Sequence, residues 1–300
     1  VKMIGYDKEF QLISPEQMKE IIDLSSEQNS FVRVLETQDG RRTYIRDYND
    51  NMRVPCEAEI TAAIRKMVET PPVVAFIKGH DERKVSLPGD RDYSSFAVEN
   101  NSRMALVNQG FDVVELDMSA CETVPEQINI LIFAEMRQAL TEHESKVLDE
   151  YLARGGNLFI LTDVGRQEAT NPLLARFGLK MENGILAQPV GDFNPDLVLS
   201  RVSKNATSLA RFHQNFSHYS YRVSMPGCVA LSTLEETNGF TLTPLLETKE
   251  KGAWIELEAK NLKEDEVVCN PNAGEKEQVY VTAFAAERKV GDKIQRIIVC

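Results

Sequence analysis

Gly79-His80-Asp81-Glu82 closes the apolar run VVAFIK and is the sharpest local chemical signal in the chain. A histidine beside two carboxylates can form an acid–base pair, supply metal ligands or build a hydrogen-bonding cradle. Three adjacent side chains cannot all face one ion, and no second cluster has ligand spacing, so no metal site is expected. Glu135 and Arg137 follow INILIFA, and Asp163 and Arg166 follow NLFILT. Thr162 and Asp163 stand where related α/β folds place a Ser or Cys nucleophile elbow. An aspartate can act as a nucleophile, but capping the next element or holding a polar ligand suits it better. No catalytic residue is assigned. His213 and His218, in RFHQNFSHYSYR, have the poor zinc spacing His-x4-His. The aromatics around them, Phe212, Phe216, Tyr219 and Tyr221, suit stacking on a sugar or peptide. Core or hairpin packing is the expected role, because aromatics mostly serve burial. Neither GxxxxGK[ST] nor GxGxxG occurs, so no nucleotide cofactor is expected.

The elements that must position these side chains run from Pro72 to Asp163 in the order strand, loop, helix, strand, strand, helix, strand. That order predicts an α/β fold with a doubly wound, mostly parallel sheet. Its C-terminal strand ends, where such sheets bind ligands, then carry His80, Asp81, Glu82, Glu135 and Asp163. A helix bearing Phe96, Met104, Leu106 and Val107 is predicted to stop at Gly110. Thr141 and Glu144 form a capping box ahead of the buried stripe Val147, Leu148, Tyr151 and Leu152, and Gly155-Gly156 ends that helix.

Residues 1–70 read as an α+β lead-in. Ser14, Pro15 and Gln17 start a helix expected to reach about Ser26 with Met18, Ile21, Ile22 and Leu24 inward. FVRVLET and RRTYIRDY form a hairpin about Asp39-Gly40. A second helix, EAEITAAIRKMVE, is expected to bury Ile60, Ile64, Met67 and Val68. Pro71-Pro72 marks a boundary, the α/β domain covers 71–205, and 206–300 is strand-rich, with its last two strands a hairpin at Val290-Gly291-Asp292. Those strands extend the central sheet or form a lobe. NLKEDE (261–266) reads as a solvated loop.

The formal charge of −12 disfavours nucleic acid, whose phosphates demand Lys and Arg. No apolar run approaches the ~20 residues that span a bilayer. The start at Val1 and the apolar ending QRIIVC suggest an excised fragment, so missing anchors and signals carry little weight. Five scattered cysteines without a CxxC pair read as incidental thiols and leave the compartment open.

VVAFIKGHDE, ALVNQGFDVVELD, INILIFAEMRQALTEHESKVLDEYLARGGNLFILTD and ARFGLKMENGILAQPV together resemble the auxiliary domain of GldG-like ABC transport components, over about residues 53–300. Asp81 stands where many members of that family carry glycine. The resemblance implies a class I glutamine-amidotransferase-like (flavodoxin-like) fold without its catalytic cysteine, related to a domain of intraflagellar-transport proteins. It implies a non-enzymatic, periplasm-facing part of a bacterial inner-membrane protein that works with an ABC permease and ATPase, in some cases in gliding motility. On that reading His80, Asp81, Glu82, Glu135, Arg137, Asp163 and Arg166 meet a partner or polar solute. The competing readings are a carbohydrate-binding module and a hydrolase using Asp163 and His80.

Overall fold

The structure is a computed structural model that describes residues 13–27, 31–87, 92–258, 262, 264 and 267–300. NLKEDE therefore lies, apart from Leu262 and Glu264, outside the described residues. The chain divides into two compact units: one of the residues up to Pro71 with Ser94–Phe111, the other of Pro72–Tyr93 with Asp112–Cys300. Among the described residues no helix is long and apolar enough to cross a membrane.

In the first unit, α1 (Pro15–Ile21) begins with the expected reciprocal capping box between Ser14 and Gln17. It ends at Ile21 rather than Ser26 and buries none of its residues. Asp23 accepts a hydrogen bond from the Ser25 amide (2.9 Å), a local turn that competes with further helix. The hairpin β1 (Val32–Glu36) and β2 (Arg42–Arg46) forms in the expected antiparallel register around Gly40, whose φ is +85°. The helix α2 (Glu57–Val68) is present, but its inward residues are Glu59 and Ala63, while Ile60, Ile64 and Val68 are exposed. Polar anchoring overrides the apolar stripe: Glu59 accepts from the Cys56 amide (2.7 Å) and pairs with Arg103 (2.6 Å).

The helix predicted up to Gly110 is broken into α3 (Ser94–Ala97) and a 3-10 turn at Leu106–Asn108. Buried Asn108 explains the break. Its amide nitrogen donates to the carbonyls of Glu99, Asn100 and Ser102, and its oxygen accepts from Arg46. A side chain that satisfies three carbonyls replaces the backbone ladder a helix would have used. Gly110 is left-handed (φ +91°), as expected, but it follows a 3-10 turn.

In the second unit the chain forms β3 (Val73–Lys78), β4 (Asp112–Asp117), β5 (Ile128–Ala134), α4 (Glu142–Ala153), β6 (Asn157–Leu161) and α5 (Gln167–Leu174). It continues through β7 (Leu179–Met181), β8 (Ile185–Ala187), β9 (Leu197–Val202), α6 (Arg211–His218), β10 (Val223–Pro226) and β11 (Leu231–Thr233). It closes with β12 (Thr241–Glu247), β13 (Trp254–Glu256), β14 (Val281–Val290) and β15 (Lys293–Val299). An 11-stranded sheet runs β10-β9-β12-β14-β15-β6-β5-β3-β4, with β11 and β7 joined through β14, and β13 and β8 form a separate ladder.

The five strands β4-β3-β5-β6-β15 are all parallel. Numbered by their occurrence, they have the order 2-1-3-4-5, the flavodoxin-like doubly wound arrangement. The strand-rich C-terminal part extends this sheet in antiparallel fashion through the β14–β15 hairpin. Two strands lay in segments without strand signals: β9 follows Pro195-Asp196, and β10 ends on Pro226, which an edge strand tolerates.

The core lies around the parallel strands. Leu131, Phe133, Leu158, Ile160, Ile297 and Val299 are buried in it with Val147, Leu148, Tyr151 and Leu152 of α4, the stripe expected from sequence. Each fully buried side chain of this size contributes about 1.5–3 kcal/mol. The Gly155-Gly156 stop is structural: a Cβ on Gly156 would lie 2.2 Å from the Tyr151 ring. Overpacking of this kind costs about 1–3 kcal/mol. Gly156→Ala is therefore expected to lower the unfolding free energy by that amount, read as a lower urea midpoint with an unchanged slope, and an unaltered midpoint would refute the close approach.

Candidate functional site

The order of the parallel strands reverses between β3 and β5, so the crevice at their C-terminal ends is the expected ligand position. Two left-handed turns shape it. Gly79 has φ +122° directly after β3, and Asp81 has φ +56°. Such a conformation costs a non-glycine residue about 1–2 kcal/mol, so glycine would meet this place without strain. The turns direct His80 inward.

His80 is only 3% exposed. Its Nδ1 lies 2.8 Å from Glu82 Oε1 and its Nε2 lies 3.1 Å from Glu144 Oε2. The His80 amide donates to Glu82 Oε2 (2.7 Å). Glu144 also accepts from the Thr141 amide and hydroxyl at 2.9 and 2.7 Å, so the capping residue of α4 is at the same time the histidine's partner. The Glu82 hydrogen bond, opposed by burial and reinforced by Glu144, lifts the His80 pKa to about 9. Burial pushes the Glu144 carboxyl up, but the Thr141 bonds and His80 more than offset it and leave it below its ordinary value. The imidazole is thus a buried cation at neutral pH with both nitrogens engaged. It has no lone pair to accept a proton and no free edge to meet a ligand.

A second constellation joins the ends of β5 and β6. Glu135, the residue after β5, has φ +59°, and its amide donates to the Leu161 carbonyl (3.0 Å). Its carboxylate accepts from the Tyr93 hydroxyl (2.6 Å) and pairs with Arg83, whose Nη2 lies 3.7 Å from Asp163. Burial raises the Glu135 pKa against the lowering pull of Tyr93 and Arg83, and burial also pushes the Tyr93 phenol up. The elbow expected at Thr162-Asp163 is absent. Neither residue has a positive φ, and the Thr162 amide donates to the Cys300 carbonyl (2.7 Å) in continuation of β15 beside β6. The strained position belongs to Glu135.

The seven residues selected from sequence therefore separate. His80 and Glu82 meet in the interior, where contact with a partner is closed to them; Glu135 and Asp163 meet through Arg83. Asp81 is exposed and accepts from Gln138 (2.7 Å), and Arg137 is exposed. Arg166 is the N-cap of α5, and its Nε is buried without a hydrogen-bond partner among the described residues. Glu144, Arg83 and Tyr93 went unselected. Glu144 carried only a capping signal, Arg83 directly follows the GHDE motif, and Tyr93 sits in no periodic pattern. Among the described residues no His, Cys, Asp and Glu group can hold a metal ion, and all five cysteines are free thiols.

The family model of an ABC-type uncharacterized transport system matches residues 71–294. The chain belongs to this family. Curated proteins give no match. Among solved structures, the chain is similar to the mmIFT52 N-terminal domain, with a TM-score of 0.51, 15% identity and coverage of 75% of this chain and 84% of that one. That likeness shows a shared fold. A putative ThuA-like protein from Bacteroides uniformis aligns with a TM-score of 0.41 at 12% identity, over 77% of this chain and 82% of that one. In this ABC transport auxiliary chain the strand-end crevice is filled by its own ion pairs.

The buried cation gives a pH signature. A histidine whose pKa rises from 6.5 to about 9 on folding contributes stability that is complete below about pH 6.5 and lost as pH passes 9. Glu144, lowered from 4.5, contributes stability present above that value and lost on acidification. His80→Gln is expected to destabilise by about 3–5 kcal/mol at pH 6. The deficit should shrink between pH 6.5 and 10 in thermal unfolding, and a pH-independent deficit would rule out a charged His80.

Proposed function

We propose that the chain is a non-enzymatic, extracytoplasmic accessory component of an ABC transport system, anchored through segments outside these residues. It presents the C-terminal strand ends of its parallel sheet to the permease and ATPase assembly. The carrying observation is the engagement of the chemical groups at those ends. His80 is held as a cation by two carboxylates, and Glu135 is held by Tyr93 and Arg83. These interactions favour a rigid contact surface over turnover. They disfavour hydrolysis by Asp163 and His80, because a base needs an unprotonated nitrogen near the operating pH. Asp81 and Arg137, both exposed beside the crevice, supply polar contacts, and the family membership supplies the transport context.

The test uses the full-length protein expressed with its permease and ATPase. Asp81→Lys combined with Arg137→Glu is expected to reduce co-purification by about tenfold, in line with charge reversal at a contact, while leaving the thermal midpoint close to that of the parent. Undiminished co-purification would remove this surface from the proposal. Turnover of an ester, amide or glycoside that vanishes in Asp163→Asn would overturn the non-enzymatic reading.

A further inference from the structure

The helix α6 and the loop after it depart from the expected packing role. Phe212 is 60% exposed, Tyr219 62% and Tyr221 53%. The rings form a ladder: Phe212 to Phe216 at 4.7 Å, Phe216 to Tyr221 at 5.2 Å, and Tyr221 stacked on Tyr219 at 5.6 Å. The turn that ends α6 holds them. The Tyr221 amide donates to the Phe216 carbonyl (3.0 Å) and the Ser220 amide to the Ser217 carbonyl (3.1 Å), with Ser220 left-handed at φ +53°. This is the Schellman arrangement, in which the second residue past the helix packs on the third from its end. Here those residues are Tyr221 and Phe216.

Phe216 and Tyr221 form one wall of a cleft of about 540 Å³, within the range of about 300–1,000 Å³ common for small-molecule sites. The opposite wall exists because β9 and β12 part company. They pair only at Leu246↔Val202 and Glu247↔Arg201, and Pro244, which has no N–H to donate, stands where pairing stops. The Ser203 amide still donates to the Leu245 carbonyl (2.9 Å) and its hydroxyl to the Pro244 carbonyl, so the chain is tied to β12 at Ser203 and leaves it beyond that residue. Three cations line the cleft: Arg201, Lys204 and Arg222. Arg201 is paired with Glu247 (3.2 Å), whereas neither Lys204 nor Arg222 has an ion-pair partner among the described residues. In a chain of net charge −12, two unpaired cations facing one concavity select for an anion.

We propose that this cleft binds an acidic saccharide, a sugar carrying a carboxylate. Arg222 and Lys204 hold the carboxylate, the flat Tyr221 and Phe216 rings take the apolar face of the sugar, and Ser217 and Ser220 reach its hydroxyls. The site lies on the antiparallel half of the sheet, with β14 and β15 between β12 and the parallel strand β6, so it stands independently of the partner surface proposed above.

Calorimetric titration of the whole chain with trigalacturonate is the test, with neutral maltotriose, AMP and sodium sulfate as comparison probes. Trigalacturonate is expected to bind at least tenfold more tightly than each of the others. Arg222→Gln and Lys204→Gln, both at exposed positions, are each expected to weaken it about tenfold, the loss typical of a charged hydrogen bond. Tyr221→Ala should weaken trigalacturonate and leave sulfate unaffected. No binding of trigalacturonate, or binding indifferent to all three substitutions, overturns the proposal. Tighter AMP binding overturns the saccharide assignment, and equal binding of sulfate reduces the cleft to an anion site without a sugar.

Discussion

A protonated imidazole sealed between two carboxylates fixes the end of β3 to the start of α4. His80 reaches Glu82 within its own loop and Glu144 across 64 residues of chain. Glu144 in turn caps α4 through Thr141, so one carboxylate serves both the helix and the loop. Buried ion pairs are weak sources of net stability, since desolvation offsets most of their attraction. Their strength lies in geometry. An imidazolium with two oriented acceptors admits one loop conformation, and that conformation places the left-handed Asp81 outside and the Arg137 amide under the His80 carbonyl.

The polar side chains at the strand ends are consequently held against one another. The groups that a catalytic site would leave free are bonded to one another, from His80 through Glu144 and from Tyr93 through Glu135 and Arg83 to Asp163. The cleft beside α6 has the opposite character. Its Tyr221 ring is exposed with Phe216 half-buried beside it, and Lys204 and Arg222 have no ion-pair partner among the described residues.

Much of the α/β unit was legible because its signals are local and agree with one another. VVAFIK, INILIFA and the Thr141 capping box became β3, β5 and α4 with their expected buried faces. In the first unit the helices depart from expectation because polar side chains override apolar periodicity. Asn108 satisfies three carbonyls and breaks a helix, and the Glu59–Arg103 pair turns α2 so that Ile60 and Ile64 face outward. The site was legible in position and not in role. Sequence placed His80 at the end of a strand, but its partner Glu144 lies too far along the chain for spacing to reveal, and the aromatics after Arg211 read as core because nothing in their pattern marks exposure.

The fifth parallel strand has a consequence for assembly. β15 pairs with β6 although about 130 residues lie between them, and residues 293–299 must arrive before β6 acquires its second neighbour. Loop closure over such a distance is slow, and parallel pairing gives no reward until it is complete. During synthesis β6 stands as a bare, apolar edge capable of joining the same strand of another nascent chain. The β14–β15 hairpin, tied locally at Gly291, is the element that brings β6 its second neighbour and covers that edge.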